Sequence, residues 1–372
     1  MLPIVPRNGR PSYNRPTMRL LFFAVNKVGL GHAVRLSILQ RQLQRKRNVS
    51  CHFFTDSDHV SSLFTCTGSA VPIPRNASMT ERGRLIDRGF KAVLERVQPD
   101  IVICDTYWPQ YGMEYLRDTG VRTILLMRLM NAMIMPGRVR TALEVFDTVL
   151  IPHHPSEISW TFHSSPGAVR YLSAQAIGLV GPIARRARTP PSTHSVIFTV
   201  GGGGEWPGAG HANRIPTYLD TFFEAAGRLI RRGHPKPVLA VGPLFDVDRK
   251  YSEAFTLLRT THLYRHFGEG SVVVSRGGYN TCWEAVGASS RLVLCGSHRS
   301  EEDVDARCRF LDHERLGRRV TLSAKALVKA IERPWSEREQ LATRKWASIV
   351  NAGTSVVLNE VLGPRFLRAC ES

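Results

Sequence analysis

A chain of 372 residues, 43% hydrophobic and 22% charged, has the length for two ordinary domain cores and the composition of a soluble globular protein. It contains no apolar run of the roughly 18 residues that argue for a membrane-spanning helix, and its seven cysteines show no CxxC or Cys/His metal spacing. Fifty Lys and Arg against 31 Asp and Glu give a net charge of +19, which attracts polyanions, anionic membrane surfaces or phosphorylated ligands.

The cysteine usage argues for a reducing, cytoplasmic setting, with neither a disulfide framework nor a zinc site. The positive charge is spread along the chain, and an ordinary solvated basic surface explains it as well as a partner does. Its short clusters, "RQLQRKR" (41–47) and "ARRAR" (184–188), lack the interleaved aromatics of a single-strand binder, so no nucleic-acid partner is expected.

Residues 1–17, "MLPIVPRNGRPSYNRPT", have no continuous apolar segment and read as a disordered basic lead rather than a secretory signal. Strands and helices then alternate. "RLLFFAV" (19–25) is a buried strand, followed by a glycine loop and the helical "AVRLSILQRQLQRK". "SCHFFT" (50–55) is a strand, 82–98 an amphipathic helix, and "DIVICD" (100–105) and "RTILLMR" (122–128) are further strands. "FDTVLIP" (146–152) reads as the last strand of this half. "GLVGPIARRARTPPSTHS" (178–195) has linker composition. The alternation restarts with strand 196–200, helix 218–233, strands 237–242, 271–276 and 291–296, and a long closing helix or helix pair at 341–362. Apolar strands separated by helices predict an α/β chain: two doubly wound, Rossmann-like parallel-sheet domains with a cleft between them. The expected division is 18–180, a linker at 181–195, 196–345, and a helix at 346–372 returning toward the first domain.

Three glycine-rich strand exits stand out: "NKVGLGHAVR" (26–35), "GGGGEWPGAG" (201–210) and "SRGGYNT" (275–281). Ligands of such sheets bind outside the carboxyl ends of the strands, where glycines let the backbone approach and helix starts attract anions. One such exit is often only a tight turn; three at equivalent positions point to a phosphate-bearing ligand. Neither a Rossmann nor a Walker fingerprint is present. His32 falls where a helix begins, as a candidate general base or a mere helix-start residue. Asp105 ends a strand beside "TYWPQ" and would orient His32 if their two strands end side by side; otherwise it starts a turn. Glu284, in the helix after "SRGGYNT", is placed to accept hydrogen bonds from ribose hydroxyls, or is a surface acid favoured by the helix dipole. His298, Glu302 and Asp303 are candidates for sugar contacts, or an ordinary acidic helix start.

These stretches resemble the GT-B glycosyltransferases, in particular the branch containing MurG and monogalactosyldiacylglycerol synthase. "VVVSRGGYNTCWEAVGA" is similar to that family's donor motif, "VGLGHAVRLSIL" to its N-terminal glycine loop, "FTVGGGGEWPG" to the turn opening its second domain and "GLVGPIARR" to its linker. The similarity spans most of 18–362. It implies that amides around Gly201, Gly202, Gly203, Gly204, Gly277 and Gly278 hold a diphosphate and that Glu284 holds the ribose. Gly242, Ser275, Arg276, Asn280, Thr281 and His298 complete the donor side, with Glu302 and Asp303 at the sugar. His32 would be the base, paired with Asp105. Gly29, Gly31, Tyr107, Trp108 and Arg128 would face the acceptor.

Asp303 stands where the family commonly has Gln, and "THLYRHFGEGS" is shorter than its usual base-binding segment, which leaves sugar and nucleobase open. The implied function is an inverting, metal-independent transfer from a nucleotide-diphosphate sugar, UDP-sugar first, to a small-molecule or lipid-linked hydroxyl. The nucleotide sugar is a co-substrate and no cofactor is implied; the protein would be cytoplasmic, with peripheral contact to the inner membrane face an open alternative. "GLGHAVR" also resembles the loop of UDP-sugar hydrolases, in which His32 would activate water. A non-catalytic basic binder of lipid or nucleic acid is the remaining alternative.

Overall fold

The computed structural model describes residues 17–25, 30–46, 48–56, 58–61, 63–71, 73–74, 77–109, 112–128, 137, 141–142, 144–153, 169–171, 195–201, 215–242, 245, 248–296 and 304–362. The expected lead and most of the expected linker lie outside them.

Two all-parallel sheets organise the chain. The first holds β1 (Met18–Ala24), β2 (Val49–Thr55), β3 (Thr67–Ala70), β4 (Ile101–Asp105), β5 (Arg122–Leu126), β6 (Thr148–Ile151) and β7 (Val169–Tyr171), in the order β3-β2-β1-β4-β5-β6-β7. The second holds β8 (Val196–Thr199), β9 (Val238–Val241), β10 (Thr256–Arg259), β11 (Val272–Ser275), β12 (Arg291–Leu294) and β13 (Arg318–Arg319), in the order β10-β9-β8-β11-β12-β13. The connecting helices are α1 (Gly31–Leu43), α2 (Asp58–Ser61), α3 (Met79–Val97), α4 (Gly112–Thr119), α5 (Ile215–Arg231), α6 (Tyr279–Gly287), α7 (Val304–His313), α8 (Ala324–Glu332) and α9 (Glu337–Leu362).

Each strand's period of two divides its apolar residues between two cores. From β1, Leu20, Phe22 and Ala24 pack with Ala33, Leu36 and Leu39 of α1, while Leu21 and Phe23, with Val25 just after the strand, pack with Phe90, Val93 and Leu94 of α3. In the second sheet, Val272 and Val274 join Phe222 of α5 and Leu327 of α8, while Val273 joins Trp283 of α6 and Leu311 of α7. Full burial of each such side chain contributes about 1.5–3 kcal/mol. The last helix, α9, touches both units. Trp346 packs 5.8 Å from Trp283, and Leu358 enters the core beneath α1.

In both sheets the strand order reverses direction at the first strand, between β1 and β4 and between β8 and β11. A crevice opens at such a point because successive crossovers leave on opposite faces. The nine expected strands are all present, with ends moved by one or two residues, and 341–362 falls in one continuous helix. Strand 146–152 is not the last of its sheet: β7 follows it. At three residues, β7 leaves no apolar run to read. β3 ("TGSA") and β10, which is mostly exposed, are edge strands with no buried-strand pattern either.

Candidate functional site

The site grows from the exits of β1 and β4, which lie side by side, with Phe23 opposite Cys104. Helix α1 starts at Gly31 without a side-chain cap, and His32 occupies its first turn, 3% exposed. Asp105 closes β4 at 1% exposure, and its Oδ1 lies 2.6 Å from His32 Nδ1. Thr106 turns the chain sharply here: its φ of 63° is the left-handed region, which a β-branched residue adopts only under strain. The Thr106 hydroxyl donates to Asp105 Oδ1 at 2.9 Å, and its N–H donates to the Leu126 carbonyl. The kink brings the Tyr107 ring edge-on to His32, 5.2 Å between centroids.

One turn after His32, Arg35 grips the same carboxylate with both arms. Its Nε donates to Oδ2 at 2.7 Å and its Nη2 to Oδ1 at 2.6 Å, at 3% exposure. Burial alone would raise the Asp105 carboxyl, but the charge of Arg35 and the hydrogen bonds from His32 and Arg35 outweigh it, so the group sits far below the usual carboxylate range. Asp105 is therefore anionic, and His32 Nδ1 must carry the proton that bonds to it. Arg35 Nη2, 3.0 Å from that nitrogen, is a second donor converging on Asp105. Burial is the strongest influence on His32 and lowers its pKa; Asp105 opposes it, and Arg128 and Arg35 add to it. The imidazole is thus neutral near pH 7, with its lone pair on Nε2, the protonation state of a base.

The exit of β11 supplies the facing wall. Gly277 has φ 88°, and a Cβ there would meet Cys308 Sγ at 2.6 Å and Val304 Cγ1 at 2.8 Å. Its missing side chain makes room for α7, and its N–H donates to Ser275 Oγ at 3.2 Å. Gly278 borders open space and forms the N-cap of α6, a helix start with no side-chain cap. Arg307 lies beneath this turn at 1% exposure and donates from Nη1 to the Gly277 carbonyl at 2.8 Å. Glu284 sits within α6 at 6% exposure, and no hydrogen bond from a described residue reaches its carboxyl. Burial pushes its pKa up to about 8.

The two walls meet. Tyr279 Oη donates to the Pro152 carbonyl at 2.7 Å, and Asn280 Nδ2 donates to the Gly31 carbonyl at 2.9 Å. Asn280 Oδ1 accepts from Arg35 Nη1 at 3.4 Å, and the Arg35 guanidinium lies 5.1 Å from the centre of the Tyr279 ring.

Among the other sequence-predicted residues, Gly201 has φ 99° and donates its N–H to Thr199 Oγ1 at 3.1 Å. The Gly242 carbonyl accepts from Phe245 N–H, and Thr281 is buried. Arg276 is buried over the Tyr218 ring, 4.7 Å from its centre. Trp108 meets Phe146 edge-on at 5.5 Å, and Arg128 N–H donates to Thr106 Oγ1 at 3.3 Å. Gly29, Gly202, Gly203, Gly204, His298, Glu302 and Asp303 lie outside the described residues. The sequence reading missed Arg35, Thr106 and Arg307. The signal for Arg35 was its spacing: three residues after His32 puts it on the same helix face. Among the described residues, no group of three or more His, Cys, Asp or Glu could hold a metal, and no helix is long and apolar enough to cross a membrane.

No protein-family model and no curated protein matches this chain by sequence. Solved structures do match by fold. A glycosyltransferase of Streptomyces sp. SF2575, complexed with thymidine diphosphate, shares 16% identity over 92% of this chain and 99% of its own, with a TM-score of 0.57. The UDP-GlcNAc 2-epimerase of Neisseria meningitidis, bound to UDP-GlcNAc, shares 14% over 93% and 99%, at 0.59. A UDP-glucosyltransferase of Polygonum tinctorium shares 14% over 96% and 100%, at 0.62. At such identities the likeness establishes the fold: the GT-B arrangement of two Rossmann-like domains, common to these transferases and epimerases.

Proposed function

We propose that the protein transfers a sugar from a nucleotide-diphosphate donor, UDP-sugar first, to an acceptor hydroxyl, with His32 as general base. The observation that carries this reading is the buried His32–Asp105 pair at the β1/β4 crevice, across from the uncapped start of a helix that holds the buried Glu284 carboxyl. Nε2 of the neutral imidazole takes the acceptor proton as its oxygen attacks the anomeric carbon, and the resulting imidazolium is held by Asp105. Attack opposite the leaving group inverts the configuration. The bond to the diphosphate breaks toward an oxocarbenium-like state, and the charge developing on the leaving group is stabilised by fixed dipoles at the start of α6. Gly278 gives the phosphates access to that helix end, and Glu284 accepts hydrogen bonds from the ribose. The motif "VVVSRGGYNTCWEAVGA" supports placement in the MurG-like branch, and the acceptor is a small molecule or lipid-linked.

A second reading follows from the epimerases of the same fold, and from the hydrolase-like "GLGHAVR": His32 would act on water or on the sugar itself. The test is a thermal-shift panel of nucleotide diphosphates and UDP-, dTDP- and GDP-sugars, then product analysis by NMR with and without candidate acceptors. Transfer predicts stabilisation by one nucleotide class and slow turnover without acceptor. Rapid release of free sugar, or an epimer, replaces transfer by the second reading. His32→Ala should cost ~10²–10⁴ in turnover, and near-normal turnover removes His32 from the base role.

A further inference from the structure

We propose that Arg35 is a positioning residue through which contact between the two domains sets the orientation of His32: the Tyr279–Asn280 turn holds Arg35, Arg35 holds Asp105, and Asp105 holds His32. The proposal rests on the reading of His32 as the base.

The chain of contacts is continuous. Arg35 belongs to α1, yet Nη1 reaches Asn280 Oδ1 at 3.4 Å in the opposite domain, and its guanidinium faces the Tyr279 ring. That ring is fixed from several sides. Arg307 lies 5.3 Å from its centre, His153 lies 4.8 Å away, and its hydroxyl is bonded to Pro152. A planar guanidinium with its donors in a rigid fork cannot satisfy Asp105, Asn280 and a ring face in arbitrary orientations. Moving the Tyr279–Asn280 turn away removes two of its restraints and frees the guanidinium to shift against Asp105. Arg35 therefore carries information from the donor-side helix start to the base. A purely structural salt bridge would need no contact with the other domain.

Among the described residues, the charged and titratable groups facing His32 are Asp105 from β4, Arg35 from α1, Arg128 after β5 and the Tyr107 ring; Asp105 raises the imidazole pKa, while Arg128 and Arg35 lower it. Loosening Arg35 leaves Asp105 less opposed, so the His32 midpoint should move up.

The experiment follows the ring signal of His32 by NMR in the full chain labelled at histidine, with His32→Gln for assignment. Wild type is compared with Arg35→Gln, Arg35→Lys and Asn280→Ala, and each is assayed against the best sugar nucleotide. Arg35→Gln should raise the His32 midpoint, Asn280→Ala should raise it less, and Arg35→Lys should restore part of the difference. Misplacing the base should lower kcat about tenfold in Asn280→Ala, well within the loss a small misplacement can cause. Should Arg35→Gln fail to fold, Asn280→Ala decides, because it keeps the Arg35, Asp105 and His32 side chains themselves. A His32 titration in folded Asn280→Ala that coincides with wild type overturns the proposal. A shifted titration in a protein that turns over no sugar nucleotide upholds the coupling and removes the transfer reading instead.

Discussion

At the scale of single residues, Glu284 is the most informative group, because a buried acid that no described residue bonds is costly unless something occupies the space before it. Its ordinary pKa of 4.5 rises to about 8 in the fold. Between those values the folded state keeps a proton that the unfolded state has lost. Its contribution to stability is therefore full below about pH 4.5 and is lost as the pH climbs through 8. Glu284→Gln should flatten this part of the stability profile in denaturant titrations. A ribose hydroxyl donating to the carboxyl favours the ionised form, so nucleotide binding should release protons at pH 7, visible by calorimetry in buffers of different ionisation enthalpy. Glu284→Gln should abolish that release and raise the donor KM; an unchanged KM would count against ribose binding. His32 and Asp105 were legible in sequence because each ends a glycine-rich or apolar segment. Arg35 was hidden, since an arginine in a basic amphipathic helix looks like solvated surface until its neighbour's carboxylate is known.

At the scale of elements, the apolar strands could be read because both of their faces are buried, while the edges β3, β7 and β10 could not. Two-residue β13 is set by chemistry no pattern shows. Arg318, 8% exposed, donates to the carbonyls of Ala330, Arg333 and Pro334 and forms a two-armed pair with Glu339. It thus ties the end of α8 to the first turn of α9, with Trp335 beneath its guanidinium at 5.2 Å. Burial would raise Glu339, but bonds from Arg318 and Ser336 outweigh it and lower its pKa from 4.5 to about 2. The carboxylate is therefore stabilising above about pH 4.5, and that stability is lost as the pH falls toward 2. Glu339→Gln should be less stable than wild type at pH 7, with the gap closing as the pH approaches 2. A gap that stays constant with pH would mean that the pair contributes nothing through its charge.

At the scale of the molecule, two features among the described residues join the domains: the Tyr279–Asn280 turn at the cleft and helix α9 behind it. The turn joins them through hydrogen bonds, which water can replace, and through the Tyr279 ring against His153 and Arg35. The α9 contacts are apolar and have no such substitute. Trp346, 6% exposed, packs against Trp283 and Phe310 in the second domain, and Leu358, 8% exposed, packs in the first. One continuous helix of 26 residues links the two sets of contacts, and we expect it to couple their unfolding. Trp346→Ala should cost about 3–5 kcal/mol and Leu358→Ala about 2–5 kcal/mol, as truncations in a packed core do. Scanning calorimetry should then show wild type unfolding in one transition, with both substitutions lowering that same transition. Two separate transitions, with Trp346→Ala moving one and Leu358→Ala the other, would mean that the domains fold independently and that α9 is only a tether. In that case the cleft turn alone would hold the domains together, and Asn280→Ala would increase the radius of gyration in solution scattering. With α9 as the coupling element, the same substitution changes His32 while leaving the overall dimensions alone.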